Sequence, residues 1–357
     1  MIQKTHQISF HFFDIGGGDA IFIRFLGRDS KWHNILIDGG YGKVYKNSFG
    51  PLLRKIVSEK GYIDHWIISH IDQDHIGAVL GFFKDNKIPE KRDAVRNFLF
   101  NYSPEKVNFP NGKISVREGI ELRTYLNDFN LLNTEIINTE TKPIECSGLR
   151  ISILSPTPEK EAAARELWRK KEFSGLIARK LLQSDYEKKI EELKNAEFNE
   201  NKDPINGSSI AFLLEFENIK ALLLADSHPS DIVKSFNSLG YSKDNKIEVE
   251  FMQLSHHGSK ANTSPELLDI VKTKSYVVTG NGIHNKHPDK ATLVRLITDE
   301  SRSPEILNIN FACDNNELRS IFKVDEYAFE KYKFNCSYSQ LGLESTVMSY
   351  LPLTDQI

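Results

Sequence analysis

Six residues constrain this chain more than any other stretch. His70-Ile71-Asp72-Gln73-Asp74-His75 set two imidazoles and two carboxylates between an apolar run and an amphipathic one. The run before them, His65-Trp66-Ile67-Ile68-Ser69, is short and apolar enough for a buried strand. The run after them is helical from about Ile76, with Val79, Leu80 and Phe83 on one face and Gly77 free of a side chain where backbone must come close. At the end of a strand the chain turns, and side chains from both faces can converge on one point. Mixed nitrogen and oxygen donors suit zinc, manganese or iron, whereas calcium and magnesium prefer oxygen alone. The plainer alternative is a helix start at which Asp72 and Asp74 cap backbone amides. Capping accounts for one carboxylate, not for two flanked by histidines.

Around this core the pattern is strand-rich and layered. Three short strands open the chain, at Ile8 to Phe13, Ala20 to Phe25 and Asn34 to Ile37, punctuated by Asp14-Ile15-Gly16-Gly17-Gly18-Asp19 and Asp38-Gly39-Gly40. A helix is expected from Pro51 to near Gly61. Further strands are expected at Asn97–Tyr102, Leu149–Leu154, Ile210–Phe216, Ile219–Leu224, Ile247–Leu254, Ser275–Thr279 and Ile306–Phe311. Strands alternating with helices imply helix packed on sheet. Residues 156–205 differ. They are dense in Glu, Lys, Arg and Ala, and Leu167, Ile177, Leu181, Leu182, Ile190 and Leu193 recur at roughly helical spacing. They read as a helical insertion, either a lid or partner surface or a solvated arm without a chemical role. Residues 301–357 read as closing strands or a C-terminal extension. With no internal repeat and no low-complexity linker, residues 1–357 are expected to form one domain.

Three more clusters carry ligand chemistry. Leu222-Leu223-Leu224-Ala225-Asp226 runs an apolar strand into one carboxylate, fit to bridge two metals, although Asp after a strand is common in turns. His228 follows it and reads as structural. Ser255-His256-His257-Gly258-Ser259-Lys260 follows the strand-like Phe251-Met252-Gln253-Leu254, and its amides, the Ser259 hydroxyl or Lys260 would suit a phosphate. Asn281-Gly282-Ile283-His284-Asn285-Lys286-His287-Pro288-Asp289 is a polar loop able to reach over a site. Its His287 is a candidate general acid, substrate contact or ligand, or else an ordinary loop histidine.

Composition excludes little beyond this. The hydrophobic fraction of 39% and charged fraction of 27% are those of an ordinary globular protein. A net charge of -3 argues against a surface coated for non-specific nucleic-acid binding, while 46 Lys and Arg leave room for a local basic groove. Cys146, Cys313 and Cys336 are far apart and odd in number, so a disulfide framework is not expected. No signal-peptide pattern is visible and no run approaches the ~20 apolar residues of a membrane span. A cytoplasmic location, with no membrane association, is the expectation.

Taken in order, Asp14 to Ala20, Leu36 to Gly40, Ser69 to Gly77, Asn206-Gly207-Ser208-Ser209, Ala225-Asp226, His256 to Ser259 and His287-Pro288 resemble the metallo-β-lactamase superfamily. Within it they look most like the soluble hydrolase domain of ComEC-type DNA-uptake proteins and its free-standing relatives. The resemblance implies an α+β fold, a four-layer αβ/βα sandwich of two facing mixed sheets with two divalent ions, zinc or manganese, at one edge. By that likeness His70 and Asp72 would hold one ion, Asp74 and His75 the other, and Asp226 would bridge them. His256, or with less support His257, would complete the Asp74/His75 position. Asp72 stands where the superfamily usually has histidine, and the usual histidine before the bridging Asp is replaced by the Asn206 to Ser209 segment.

The activity this implies is hydrolysis of a phosphodiester, nucleic acid above all, by a metal-bridging hydroxide. Asp74, His287 and Lys260 would be the catalytic side chains, with Asn206, Ser208, Gly258 and Ser259 contacting substrate. Two other functions fit the same residues: a small-molecule esterase acting on phosphocholine esters, lactones or cyclic nucleotides, and a metal-stabilised interaction module of a defence-type system, its partner bound through 156–205.

Overall fold

Alternation along the strands decides the layers. In β2 (Ala20–Leu26), Ile21, Ile23 and Phe25 point to one side and join a core that also takes Ile8, Phe10 and Phe12 of β1 (Ile8–Phe13). Ala20 and Phe22 point to the other side and meet helices. Side chains two apart share a face, so a strand buried on both faces reads as nearly continuous apolar sequence. The computed structural model describes residues 7–103, 114–133, 135–173, 183–283, 285–302, 304–339 and 345–350.

Sheet one also contains β3 (Trp32–Asp38), β4 (Ile63–Ile68), β5 (Val95–Phe100) and, from the far end of the chain, β16 (Ser345–Tyr350), in the order β16-β1-β2-β3-β4-β5. The β3-β4 and β4-β5 pairs are parallel and the others antiparallel. Sheet two comprises β6 (Ile144–Cys146), β7 (Leu149–Ser155), β8 (Ala211–Phe216), β9 (Ile219–Leu223), β11 (Phe251–Gln253), β13 (Ser275–Val278), β14 (Leu307–Phe311) and β15 (Phe334–Ser337). Its order is β15-β14-β13-β11-β9-β8-β7-β6, with the half from β9 to β15 parallel. A separate pair joins β10 (Ile247–Glu248) to β12 (Val271–Lys272). The single strand expected at Ile247–Leu254 is therefore two. Glu250 N–H donates to Lys220 O between them, and the chain passes from the small pair into sheet two.

The inner faces of the two sheets meet through residues such as Phe10, whose ring lies edge-on to Phe251 at 4.9 Å. Outside sheet one, Trp66 and Ile68 pack on Phe49, Leu53, Ile76 and Phe82. Outside sheet two, Leu222, Met252 and Val278 pack on Ile232, Phe236, Leu267 and Leu293. The result is the four-layer sandwich of two mixed sheets between helices.

The helix after β4 spans Gln73–Lys84, three residues earlier than its apolar stripe predicts, so Asp74 and His75 lie in its first turn. Asp72 is its N-cap residue but makes no side-chain capping bond, which removes the capping account of that carboxylate. Gly77 is required here. Its N–H donates to Gly40 O at 2.7 Å, and a Cβ would stand 2.3 Å from Gly42 N.

The insertion is not a solvated arm where it is described. Its helix Pro158–Phe173 buries Ala164 and Trp168 against the outer layer of sheet one, and the Trp168 ring lies tilted to Phe100 with centres 6.1 Å apart. Tyr186, Ile190 and Leu193 join the outer core of sheet two. Ile177, Leu181 and Leu182 lie outside the described residues. Trp168→Ala is expected to destabilise the fold by about 3–5 kcal/mol in chemical denaturation. A loss under ~1 kcal/mol would mean that the helix contributes no core.

Candidate metal centre

The chemistry-bearing residues gather where parallel strands end. β4 runs into Ser69 to His75, β9 into Asp226, and β11 into His256 and His257. β3 ends in Asp38, and the β1–β2 turn delivers Asp19. Ligand sites of open α/β sheets lie at such carboxyl ends. The backbone is strained there: Asp38, Ala225, His256 and His257 all adopt positive φ, at 52°, 44°, 51° and 58°. Non-glycine residues hold that conformation only where surrounding structure imposes it.

Hydrogen bonds to one ring nitrogen settle what the other can do. Ser69 Oγ donates to Asp38 Oδ2 at 2.7 Å, so it accepts from His70 Nδ1–H at 3.0 Å and leaves His70 Nε2 a bare lone pair. His75 Nδ1 pairs with Asp38 Oδ2 at 2.8 Å. Asn262 uses its Nδ2 on the carbonyls of Asp226 and Ser227, so its Oδ1 faces His256 Nδ1 at 3.2 Å. His257 Nδ1 lies 3.1 Å from Thr279 Oγ1 and 3.3 Å from Asp19 Oδ1. Every one of these rings therefore presents Nε2 inward.

Those nitrogens face oxygen. Asp226 Oδ2 lies 3.7 Å from His70 Nε2 and 3.5 Å from His256 Nε2. Asp226 Oδ1 lies 3.5 Å from His75 Nε2 and 3.6 Å from His257 Nε2. Asp72 Oδ2 approaches His70 Nε2 at 3.8 Å, and Asp74 Oδ2 approaches His257 Nε2 at 3.4 Å. The buried Nε2 atoms of His70, His75 and His257 and Asp226 Oδ1 have no hydrogen-bond partner. A lone pair opposed to a carboxylate oxygen at this range is repulsive unless a cation lies between them. Two bonds of about 2.0–2.2 Å span such gaps. The donor set fits a divalent cation at Asp19, His75, Asp226 and His257, whose donor atoms lie within 4.8 Å of one another, with Asp74 beside His257; Asp226 Oδ2 faces a second set, His70 with Asp72 and His256.

The electrostatics agree. Burial, then the neighbouring imidazoles, hold His70 well below the usual histidine value, and burial, then His287, does the same for His256. Both rings are neutral. Burial opposes charge on His75 as well, but Asp226 and Asp38 override it and raise that ring to about 10. His257 is likewise driven up against burial, by Asp226, Asp19 and Asp74. Asp226 itself is pushed up to about 7, by burial first and by Asp19 and Asp74 after it, with His257 and His75 opposing. Without cations, the cluster must hold protons to offset its carboxylates.

Residue by residue, the expectation meets a mixed outcome. His257, not His256, stands at the Asp74/His75 position. His256 is turned to the His70/Asp72 position and shares Asp226 Oδ2 with His70. Adjacent residues in left-handed backbone aim their rings apart, which spacing alone does not reveal. Asn206 is buried: its side-chain amide lies 3.3 Å from His256 Nδ1, and Ser209 Oγ lies 3.2 Å from His70 Nδ1, so this segment backs those two rings. Ser208 Oγ donates to Ile205 O.

The expected phosphate turn is closed on itself. Ser259 N–H donates to His256 O, Lys260 N–H to Asp289 Oδ2 at 2.9 Å, and Ala261 N–H to Ser259 Oγ, while Gly258 O accepts from Asp289 N–H. Lys260 Nζ extends outward, 3.6 Å from Asp289 Oδ1. His287 lies beside His256, ring centres 5.0 Å apart, with Nδ1 3.2 Å from Asp289 Oδ2. His284 lies outside the described residues. His228 sits behind the ligands, its Nδ1 2.9 Å from Lys160 Nζ.

Two residues with direct bearing on the centre were assigned no role from sequence. Asp38 orients His75, and Asp19, itself held by Gln253 Nε2 at 2.7 Å, faces His257. Their signal was present in the two Gly-rich turns that carry them. Gly18 lets the first turn lie on the metal-site helix: a Cβ there would meet Asp74 O at 2.3 Å. Asp38→Asn is expected to weaken metal affinity about 10–100-fold in a chelator competition, because the carboxylate fixes the ring's tautomer. Unchanged affinity would make Asp38 a folding residue only.

Residues 15–148 match the family model of the metallo-beta-lactamase superfamily. That match, with the two-sheet sandwich, gives the chain the metallo-β-lactamase type of fold, together with a set of residues fit to hold metal. Among solved structures, it is similar to CmlA, a diiron beta-hydroxylase from Streptomyces venezuelae, at 14% identity and a TM-score of 0.40, covering 96% of this chain and 54% of that one. A variant of CmlA beta-hydroxylase matches at 11% identity and a TM-score of 0.40, covering 97% and 54%. A protein from Parabacteroides distasonis described as a metal-dependent hydrolase matches at 10% identity and a TM-score of 0.32, covering 90% and 95%. The chain spans about half the length of the CmlA chains. No curated protein gives a significant match. Among the described residues, no helix is long and apolar enough to cross a membrane.

Proposed function

We propose that this protein is a metal-dependent phosphodiesterase whose first substrate class is nucleic acid, single-stranded or damaged DNA foremost. The observation that carries the hydrolase reading is Asp226, each of whose oxygens faces two imidazole nitrogens at 3.5–3.7 Å. Zinc or manganese bound there would lower the pKa of water and neutralise charge on the attacked group. The preference for a phosphodiester rests on the motif resemblance to ComEC-type hydrolase domains.

The chain's own groups have distinct tasks in this reading. Asp74 and Asp72 complete the two positions, and Asp72, with 41% of its side chain exposed, opens its position toward solvent. His287 faces Asp289 through Nδ1 at 3.2 Å, which leaves Nε2 for a leaving-group oxygen. Lys260, committed to Asp289, supports that pairing more directly than it could reach substrate. Phosphate oxygens need other donors, and Lys43 qualifies. Its ammonium lies where a Gly16 Cβ would be 3.0 Å away, the Asn281 Nδ2 group faces the same spot, and it has no ion pair among the described residues.

The test is a substrate panel in zinc and in manganese, with oligonucleotides and bis-p-nitrophenyl phosphate side by side. Cleavage of polynucleotides supports the reading as stated. Hydrolysis of the small diester alone moves the assignment to a small-molecule esterase. Hydrolysis of neither in either metal removes it.

A further inference from the structure

We infer that the protein holds a third divalent cation of the zinc class at the opposite end of the sandwich, on His33, Asp64 and Cys146. His33 is the second residue of β3 and Asp38 its last, so this place lies on the order of 17 Å from the metal centre at about 3.3 Å per residue. His33 Nδ1 is 2.9 Å from Asp64 Oδ1 and 3.7 Å from Cys146 Sγ, and one donor atom from each of the three lies within 4.8 Å of the others.

The surrounding bonds are those of a supported ligand set. His33 Nε2 faces Asp29 Oδ1 at 3.1 Å, the carboxylate–imidazole pairing that fixes a metal-bound ring. Asp29 is itself held by Lys31 N–H and Ser147 Oγ. Asp64 Oδ2 accepts Asn34 N–H at 2.8 Å, so Oδ1, now paired with His33 Nδ1, is the oxygen that would meet the ion once that proton leaves. Nitrogen, oxygen and thiolate sulfur together select zinc over magnesium or calcium. With three protein ligands, one position remains for water.

The site also has a task. His33 and Asp64 belong to sheet one and Cys146 to the edge strand of sheet two, so one ion would clip the sheets together where no catalytic ligand does so. Binding exchanges the Cys146 thiol proton and the His33 Nδ1 proton for the cation, both released to solvent. Burial, then the Asp64 carboxylate, push that thiol up to about 12, so only a bound cation makes it a thiolate near neutral pH.

Cobalt(II) tests this independently of any activity. The metal centre contains no sulfur, so a near-ultraviolet sulfur-to-cobalt charge-transfer band in the cobalt-loaded full chain reports a thiolate site alone. The band is expected in the wild type, in Asp226→Asn and in Cys313→Ser, and is expected to vanish in Cys146→Ser. Bound zinc should fall by one ion per chain in Cys146→Ser while hydrolysis by the metal centre is retained. A wild-type chain without the band overturns the inference whether or not any variant folds. So does a band that persists in Cys146→Ser.

Discussion

Asp226→Asn is expected to lower kcat/KM by about 10³-fold or more and to leave the centre with one tightly bound ion or none. The two Asp226 oxygens face both halves of the cluster, His70 and His256 on one side, His75 and His257 on the other. Asparagine keeps the volume and one oxygen but carries no charge and offers a donor where the second cation would sit. Metal-dependent stabilisation of the attacked group is worth several kcal/mol, and about 1.36 kcal/mol is a factor of ten in rate. Metal content by elemental analysis and turnover should therefore fall together. Full activity with two ions still bound would mean that Asp226 is not the bridge. Intact metal content with lost activity would place it in the reaction but outside the binding of the ions.

Stripping the metals should invert the response of stability to pH. In the metal-free protein His75 is held up at about 10, above its ordinary 6.5, so the stability it contributes is complete below about 6.5 and disappears as pH rises through 10. Asp226 is raised from 3.8 to about 7, so it favours the fold while protonated, and that advantage is lost as pH climbs through 7. Both act in one direction between about pH 4 and 10. The metal-free melting temperature is expected to drop by at least about 5 °C from pH 6 to pH 9.5. The metal-loaded protein should not show this drop, because cations bind better as protons leave their ligands. Thermal melts of chelated and reconstituted protein across that range decide the matter. A metal-free protein equally stable at both ends would mean that its cluster carries no compensating protons.

The centre is partly legible in the chain because donor chemistry cannot be disguised. Histidine and aspartate packed into 70–75, Asp226 after an apolar strand and paired histidines after another are unusual in a core unless something pairs their charge. The layers are legible for a related reason: Ile21, Ile23 and Phe25 alternate with Ala20 and Phe22, and period two admits one register. Ile247–Leu254 misled because Ile247, Val249, Phe251 and Met252 read as one strand, although the backbone changes partner between Val249 and Glu250. The Gly258 to Lys260 turn misled because a sequence cannot show that Asp289, 29 residues beyond Lys260, already accepts its amide.

Composition and spacing by themselves determined the donor types and the strands that end in them, and with them the resemblance to the superfamily. Tertiary structure alone decided that His257 joins Asp74 while His256 joins His70, that Asp38 and Asp19 stand behind two of the rings, and that the insertion packs into both outer layers. Those outcomes depend on left-handed backbone at two neighbouring residues and on hydrogen bonds between distant strand ends. Both are properties of relative position in space, which no local pattern of side chains encodes.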